Sequence, residues 1–358
     1  MKKFDVGQLH KSINIDGVDI GENYQPYTIA ELSGNHGGDI NKALELIDAA
    51  AKTGASAIKI QTYRPDTITL DHDGPEFVVK DKLWQGRTLY ELYEEAHTPW
   101  HWHEALFARA KEHGITLFSS PFDKTAIDLL EDLNCPAYKI ASFEITDIGL
   151  IQYAAKTGKP IIMSTGMATL AEIEEAVTAV KEAGGTQLAI LHCVSGYPTP
   201  IADCNLSTLA YLHQYLDIPV GLSDHSLADT AAIASVALGG SIIEKHFKMA
   251  NDTTSVDAAF SLDPNEFSRM VSAVKNTKSA LGEPSFRLAK SEQDNVAFRR
   301  SLYIAEDIKE GELFTEQNLR SVRPGLGLHP RYLDELIGKP AKQALTKGTP
   351  MKLEYVTQ

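Results

Sequence analysis

The sequence predicts an α/β chain, a (β/α)8 barrel followed by a small C-terminal unit of different character. Three observations predict it. Between Tyr27 and Gly282, short apolar runs alternate with helical patterns eight times. Most helical segments stop at glycine, as at Gly54, Gly114, Gly158, Gly184-Gly185, Gly239-Gly240 and Gly282. Nearly every apolar run then ends in polar, chemistry-bearing residues. Eight strand–helix units over about 260 residues match the size and order of such a barrel. An open doubly wound sheet fits less well, because no glycine-rich dinucleotide turn follows the first strand.

The elements follow in order. Residues 1–24 are polar and read as a hairpin. Tyr27–Leu32 is the first barrel strand, and Asn41–Lys52 carries a helical pattern. Ser56–Gln61 is the second strand. A long irregular insertion is expected from Thr62 to Pro99. Helix 101–113 leads to strand Ile115–Ser119, and helix 123–133 to strand Ala137–Ala141. Helix 147–157 precedes Pro160–Ser164, and helix 169–183 precedes Leu188–Cys193. A helix near 205–216 precedes the stretch Pro219–Phe247, which reads as strand, helix and strand. Helix 264–281 closes the series. The catalytic unit is therefore expected at 1–282. Residues 283–298 read as a polar linker. Residues 299–358 form a short-stranded unit with a short helix near Pro330–Leu336, in which DIKEGELFT and ALTKGTPMK look like a weak repeat. About 60 residues bury little core alone.

The composition, 43% hydrophobic and 23% charged over 358 residues, is that of a globular protein. No apolar run approaches the roughly 18 residues a membrane span needs. The N-terminal lysines precede no apolar segment of the signal-peptide kind. The three cysteines lack metal-type spacing and fit a reducing cytoplasm. A net charge of −14 opposes binding to nucleic acid or an anionic membrane. It does not bar a small anion, because surface charge is screened beyond roughly 8 Å.

In a barrel the reacting groups sit at the carboxyl ends of the strands. Here those ends carry Glu31 with Asn35 and His36, then Lys59 and Gln61, then Ser119-Ser120-Pro121. Lys139 and Ser142 come next, then Ser164-Thr165-Gly166 and Ser195-Gly196-Tyr197-Pro198. The last two ends carry Ser223-Asp224-His225 and Glu244-Lys245-His246. Side chains alternate along a strand, so Ser223 shares a face with His225, and Glu244 with His246. Adjacent strands lie about 4.8 Å apart, close enough for both imidazoles to meet one divalent ion. An inward lysine is costly unless partnered. Lys59 and Lys139 can form salt bridges with Glu31 or Glu244, capture an anion with the hydroxyls, or form a Schiff base. Arg323, in VRPGLG, reads either as a surface charge or as a group reaching a substrate.

The motifs AELSGNHGG, IKIQTY, FSSPF, AYKIAS, MSTGMA, HCVSGYPTP, GLSDHS and EKHF resemble the sialic acid synthase family. The RPGLG segment resembles its antifreeze-like (SAF) domain. The resemblance covers essentially the whole chain. The insertion with LWQGRTLYELYEEAHTPWHWH and the stretch SVDAAFSLDP look most like the branch of the family that makes pseudaminic acid. The resemblance implies condensation of phosphoenolpyruvate with an N-acylated amino sugar, in this branch a 2,4-diacetamido-2,4,6-trideoxy-altrose. It also implies a divalent metal (Mn2+, Co2+ or Mg2+) and a domain-swapped homodimer. By resemblance His225 and His246 are metal ligands, and Glu31 handles a proton. Lys59, Lys139, Ser120, Ser142, Ser164, Ser195 and Ser223 match phosphoenolpyruvate positions. Gln61, Tyr197 and Asp257 match positions around the sugar. Arg323 matches an arginine delivered by the partner subunit. Ser120 and Ser195 stand where some members carry threonine and asparagine. The rival readings are a synthase of an eight-carbon ulosonic, sialic or legionaminic acid, a metal hydrolase, and, for residues 299–358 alone, a binding module. A hydrolase barrel usually has an early His-x-His pair, and the first barrel strand here ends in Glu31-Leu32-Ser33 instead.

Overall fold

The computed structural model describes residues 3–80 and 84–357. The chain forms two compact units, 1–282 and 283–358. The first begins with an antiparallel hairpin, β1 (Ser12–Ile15) and β2 (Val18–Gly21). Its two-residue turn, Asp16-Gly17, has positive φ at both positions, 51° and 83°. That is the pairing a tight hairpin favours, with glycine where a side chain is least welcome. The hairpin sits under the barrel. Asp16 accepts a hydrogen bond from Thr116 Oγ1 (3.0 Å), and Asn14 N donates to Gln187 Oε1 (2.7 Å). Ile13, Ile15 and Ile20 join the barrel's apolar core.

The barrel strands are β3 (Tyr27–Glu31), β4 (Ala57–Thr62), β5 (Thr116–Pro121) and β6 (Tyr138–Ile140). They continue as β7 (Ile161–Ser164), β8 (Leu188–Cys193), β9 (Val220–Asp224) and β10 (Ile242–His246). All neighbours pair in parallel, and β10 closes on β3. The predicted (β/α)8 barrel is borne out. Its strands are buried on both faces, as a parallel sheet under a ring of helices requires. In β4, Ile58 and Ile60 face the helices while Lys59 and Gln61 face the mouth. The helices use the complementary period. Helix Ile40–Ala51 buries Ala43, Leu46, Ile47 and Ala50, and Asp39 caps it by accepting from Asn41 N.

Two stretches are more ordered than their composition suggests. The insertion after β4 is not wholly irregular: it contains helices Pro65–Ile68 and Leu89–Ala96. The second begins with a capping box, Thr88 with Glu91. The segment read as a linker contains a 3-10 helix, Lys290–Phe298, exposed along its length.

The second unit pairs β11 (Ser301–Ile304) with β12 (Leu319–Val322) in antiparallel. The two repeat-like segments pair with each other, since Ile308 and Leu345 exchange backbone hydrogen bonds of 2.9 Å. Leu302, Ile304, Phe314, Leu336 and Met351 belong to its own small core.

Gly221 sits where β9 meets β10, and a Cβ there would collide with Ile242 O and crowd Leu191. Gly221→Ala is expected to lower unfolding stability by about 1–3 kcal/mol in urea titration. An unchanged midpoint would contradict this strand packing.

Candidate active site

The carboxyl end of the barrel gathers the strand-end residues into one buried site. At its centre lie four charges. Lys59 Nζ is 2.6 Å from Glu31 Oε2 and 3.5 Å from Glu244 Oε1, and Lys139 Nζ is 3.0 Å from Glu244 Oε1. All four are at most 5% exposed. The lysines therefore do have carboxylate partners. Lys59 also donates to Ser120 Oγ at 3.0 Å, so its three protons are engaged. Lys139 has one carboxylate partner and keeps donors to spare. Burial raises the Glu31 carboxyl, partly offset by Lys59. Burial opposes ionisation of Glu244 too, but the attractions of Lys139 and Lys59 outweigh it and hold it down. Burial alone favours a neutral Lys139, and its value is lowered.

Beside Lys139 is a cradle of hydroxyls. Gly166 N donates to Ser142 Oγ at 3.2 Å. A Cβ on Gly166 would collide with Ser195 Oγ and Ser142 Oγ. Ser164 Oγ is buried without a hydrogen-bond partner. A buried polar atom normally has one. The spare donors of Lys139 and the idle Ser164 hydroxyl make a place for an anion. Ser223 lies on the other flank, 3.5 Å from Glu244 Oε1.

The histidine pair comes from β10 and the turn after β9, with ring centroids 5.4 Å apart. His225 Nδ1 donates to Val194 O at 3.0 Å. Burial works against its charged form, but Cys193 and that carbonyl outweigh it and raise the ring above its ordinary value, so a cation must displace a proton to reach Nε2. His246 Nδ1 is buried with no hydrogen-bond partner. Burial, then His225 and the lysines, push His246 well below its ordinary value, so it is neutral. A neutral imidazole with an idle buried nitrogen is what a cation needs. Among the described residues no group of three or more His, Cys, Asp or Glu side chains forms a cage. The pair thus fits an open site, with most positions left to solvent and substrate.

On the outer side, Gln61 Nε2 donates to Glu31 Oε1 (3.1 Å) and Ser33 Oγ (3.0 Å). Ser33 Oγ in turn donates to Asp257, whose Oδ2 is 3.9 Å from His246 Nδ1. Asn35 ties the loops after β3 and β10 together through Phe247 O (2.9 Å) and Ser261 Oγ (2.8 Å). Tyr197 packs on His225 at 4.4 Å between ring centroids. Of the strand-end residues named from the sequence, most line this mouth; Ser119, Asp224 and Lys245 lie on the opposite face of their strands. Arg323 lies in the second unit, exposed and in no ion pair among the described residues.

A (β/α)8 barrel loaded at the carboxyl end with lysines, hydroxyls and a histidine pair has the layout of a barrel enzyme's active site. A NeuB family model matches residues 46–285, and a SAF domain model matches residues 299–354. The chain belongs to the NeuB family. It is 47% identical to the pseudaminic acid synthase of Campylobacter jejuni subsp. jejuni serotype O:23/36, over 91% of this chain and 95% of that protein. It is 42% identical to the pseudaminic acid synthase of Helicobacter pylori, over 92% and 98%. The crystal structure of the N-acetylneuraminic acid synthetase of Leptospira borgpetersenii superposes with a TM-score of 0.72 at 32% identity, covering 81% of this chain and 96% of that one.

Among the mouth residues that the sequence reading did not count as site residues are Cys193, Trp84 and Glu144. Cys193 faces inward on β8, its Sγ 3.9 Å from His225 Nδ1 and 3.8 Å from Ser195 Oγ. Strand alternation pointed to it, but a strand cysteine reads as core. Trp84, in the insertion, donates weakly to Val256 O (3.4 Å) and lies 6.3 Å from Tyr197 between ring centroids. Glu144 follows Ser142 on a 3-10 turn, and a carboxylate on a turn reads as a surface charge. Here burial pushes it up to about 7, with Oε2 unpartnered. A carboxyl raised in the folded state stabilises below its unfolded value and loses that contribution as pH rises towards 7. Wild type is therefore expected to lose on the order of 1–2 kcal/mol more than Glu144→Gln between pH 4.5 and 7 in urea titrations. Parallel pH profiles would contradict the raised value.

Proposed function

We propose that this chain condenses phosphoenolpyruvate with 2,4-diacetamido-2,4,6-trideoxy-β-L-altropyranose and water, giving pseudaminic acid and phosphate. One observation carries the reading: the chain is 42–47% identical to pseudaminic acid synthases over more than nine-tenths of its length, against 32% to the sialic acid synthetase compared above. Lys139, with Ser142, Ser164 and Ser195, holds the phosphate and carboxylate of phosphoenolpyruvate, assisted by Lys59, Ser120 and Ser223. That fixes the reactants in place and removes much of the entropic barrier. His225 and His246 would hold the divalent cation, Mn2+, Co2+ or Mg2+, which supplies Lewis-acid polarisation of the open-chain aldehyde. Gln61, Tyr197 and Asp257 line the sugar's side.

C3 of phosphoenolpyruvate forms a bond to the aldehyde carbon, and the aldehyde oxygen takes a proton. Glu31, raised by burial, is the group placed to give it. C2, left cationic, is captured by water, which loses a proton as the C2 hydroxyl forms and so restores the balance. The tetrahedral carbon then expels phosphate by C–O cleavage, the C2 hydroxyl giving up its proton as the ketone forms.

We place the protein in the cytoplasm, where its buried free cysteines stay reduced. No helix of the described residues is long and apolar enough to cross a membrane. We read the active form as a domain-swapped homodimer. The mouth loops expose Phe143, Met167, Ile201 and Leu227, and the second unit exposes Phe286, Phe298 and Leu326. Exposed apolar groups on both units favour an intersubunit contact. In that dimer Arg323 serves the partner's barrel.

A phosphate-release assay tests the reaction. The trideoxy sugar is expected to give a kcat/KM at least a hundredfold above N-acetylmannosamine; the reverse order would place the chain in the sialic branch. Arg323→Ala mixed with Lys59→Ala tests the swap. Subunit exchange is expected to restore about half of wild-type activity per heterodimer, since one barrel then has both groups. No recovery after demonstrated exchange would rule out action across the dimer.

A further inference from the structure

The mouth side chains account for one face of β9 and β10. The opposite face of the same two strands holds a buried ion pair that the proposed chemistry does not use. Asp224 and Lys245 are register partners across the β9–β10 ladder. Their side chains point away from the mouth, because Ser223, His225, Glu244 and His246 point into it. Lys245 is fully buried and Asp224 is 3% exposed. Lys245 Nζ donates to Asp224 Oδ2 at 2.6 Å and to Ser226 O at 2.5 Å. Asp224 Oδ1 accepts from Ser226 N at 2.9 Å and from Ser226 Oγ at 2.7 Å.

The residues on either side of His225 are thus both gripped by one ammonium. That ammonium belongs to the residue immediately before His246. A single ion pair fixes the end of one histidine strand against the end of the other. We propose that Lys245 and Asp224 are positioning residues that set the separation and direction of the His225 and His246 imidazoles, and through them the affinity for a divalent cation. The proposal rests on reading those histidines as the cation's ligands.

Stability alone does not account for the pair. Two buried charges gain little over apolar residues of similar volume, because their desolvation offsets their attraction. What an apolar pair cannot supply is direction. Leucine against methionine fills the space in several rotamers, whereas the ammonium has oxygens of Asp224 and Ser226 at set angles. A site with two protein ligands has little else to hold its geometry, so small errors in ring placement act directly on cation affinity.

The test is calorimetric titration of metal-stripped protein with Mn2+, with phosphoenolpyruvate binding and thermal melting as controls. Asp224→Leu/Lys245→Met removes both charges at similar volume. It is expected to melt within a few degrees of wild type, to bind phosphoenolpyruvate within about threefold, and to bind Mn2+ at least tenfold more weakly. Asp224→Asn keeps the acceptor for Ser226 but turns its NH2 towards Lys245, so it breaks the ion pair at nearly constant volume. It is expected to weaken Mn2+ binding about threefold or more, and it decides the matter should the double variant fail to fold. A role in folding alone would lower the melting temperature and leave the Mn2+ affinity of the folded protein unchanged; that result overturns the proposal. A wild-type protein that binds no Mn2+ would overturn the ligand reading beneath it instead.

Discussion

Two lysines and two carboxylates, buried together at the centre of the barrel mouth, are the constraint on which the rest of the site depends. They come from β3, β4, β6 and β10. Any one of them alone would be a buried charge costing several kcal/mol. With all four ionised they sum to zero, and with a proton on Glu31 one positive charge is left over. Gln61 and Ser120 take up the remaining valences of Glu31 and Lys59. Glu244 stands between both lysines and so sets how much positive charge is left over for a ligand. In the proposed reaction an arriving phosphate competes with Glu244 for Lys139 rather than meeting a bare cation.

The histidine pair is organised on a different principle. Its imidazoles are neutral or tied to a backbone carbonyl, and they are placed by what lies behind them. The strand period of two makes this possible. In β9 and β10 alternate residues serve the mouth and the outer layer, so the mouth groups and the ion pair behind them share two short strands. Substitution at one face therefore acts on the other through the backbone.

Much of this was legible in the sequence. The barrel followed from eight apolar runs, and the polar strand ends marked which face reacts. Lys59 with Gln61, and Glu244 with His246, followed from alternation alone. The missed groups were hidden for physical reasons. Glu144 looks like a solvated turn carboxylate until the insertion and the lysines close around it. Trp84 reaches Val256 and Tyr197 across many residues of sequence, which no local pattern encodes. The insertion looked irregular because its helices are short and one is set by a four-residue capping box. The segment that opens the second unit lacked apolar periodicity because its 3-10 turns bury nothing. Whether the lysines face carboxylates or a ligand was open in the sequence, and geometry supplied the carboxylates.

The central claim is that the mouth charges act as one self-neutralising unit. A double-mutant cycle on Lys139 and Glu244 tests it most directly, with Lys139→Met, Glu244→Gln and the double variant unfolded in urea. The account predicts that Lys139→Met alone costs about 3–5 kcal/mol, because it leaves a carboxylate buried without its nearer cation. The double variant is predicted to recover more than half of that loss, giving a coupling energy well above 1 kcal/mol. Losses that simply add, with no coupling between the two sites, would contradict it.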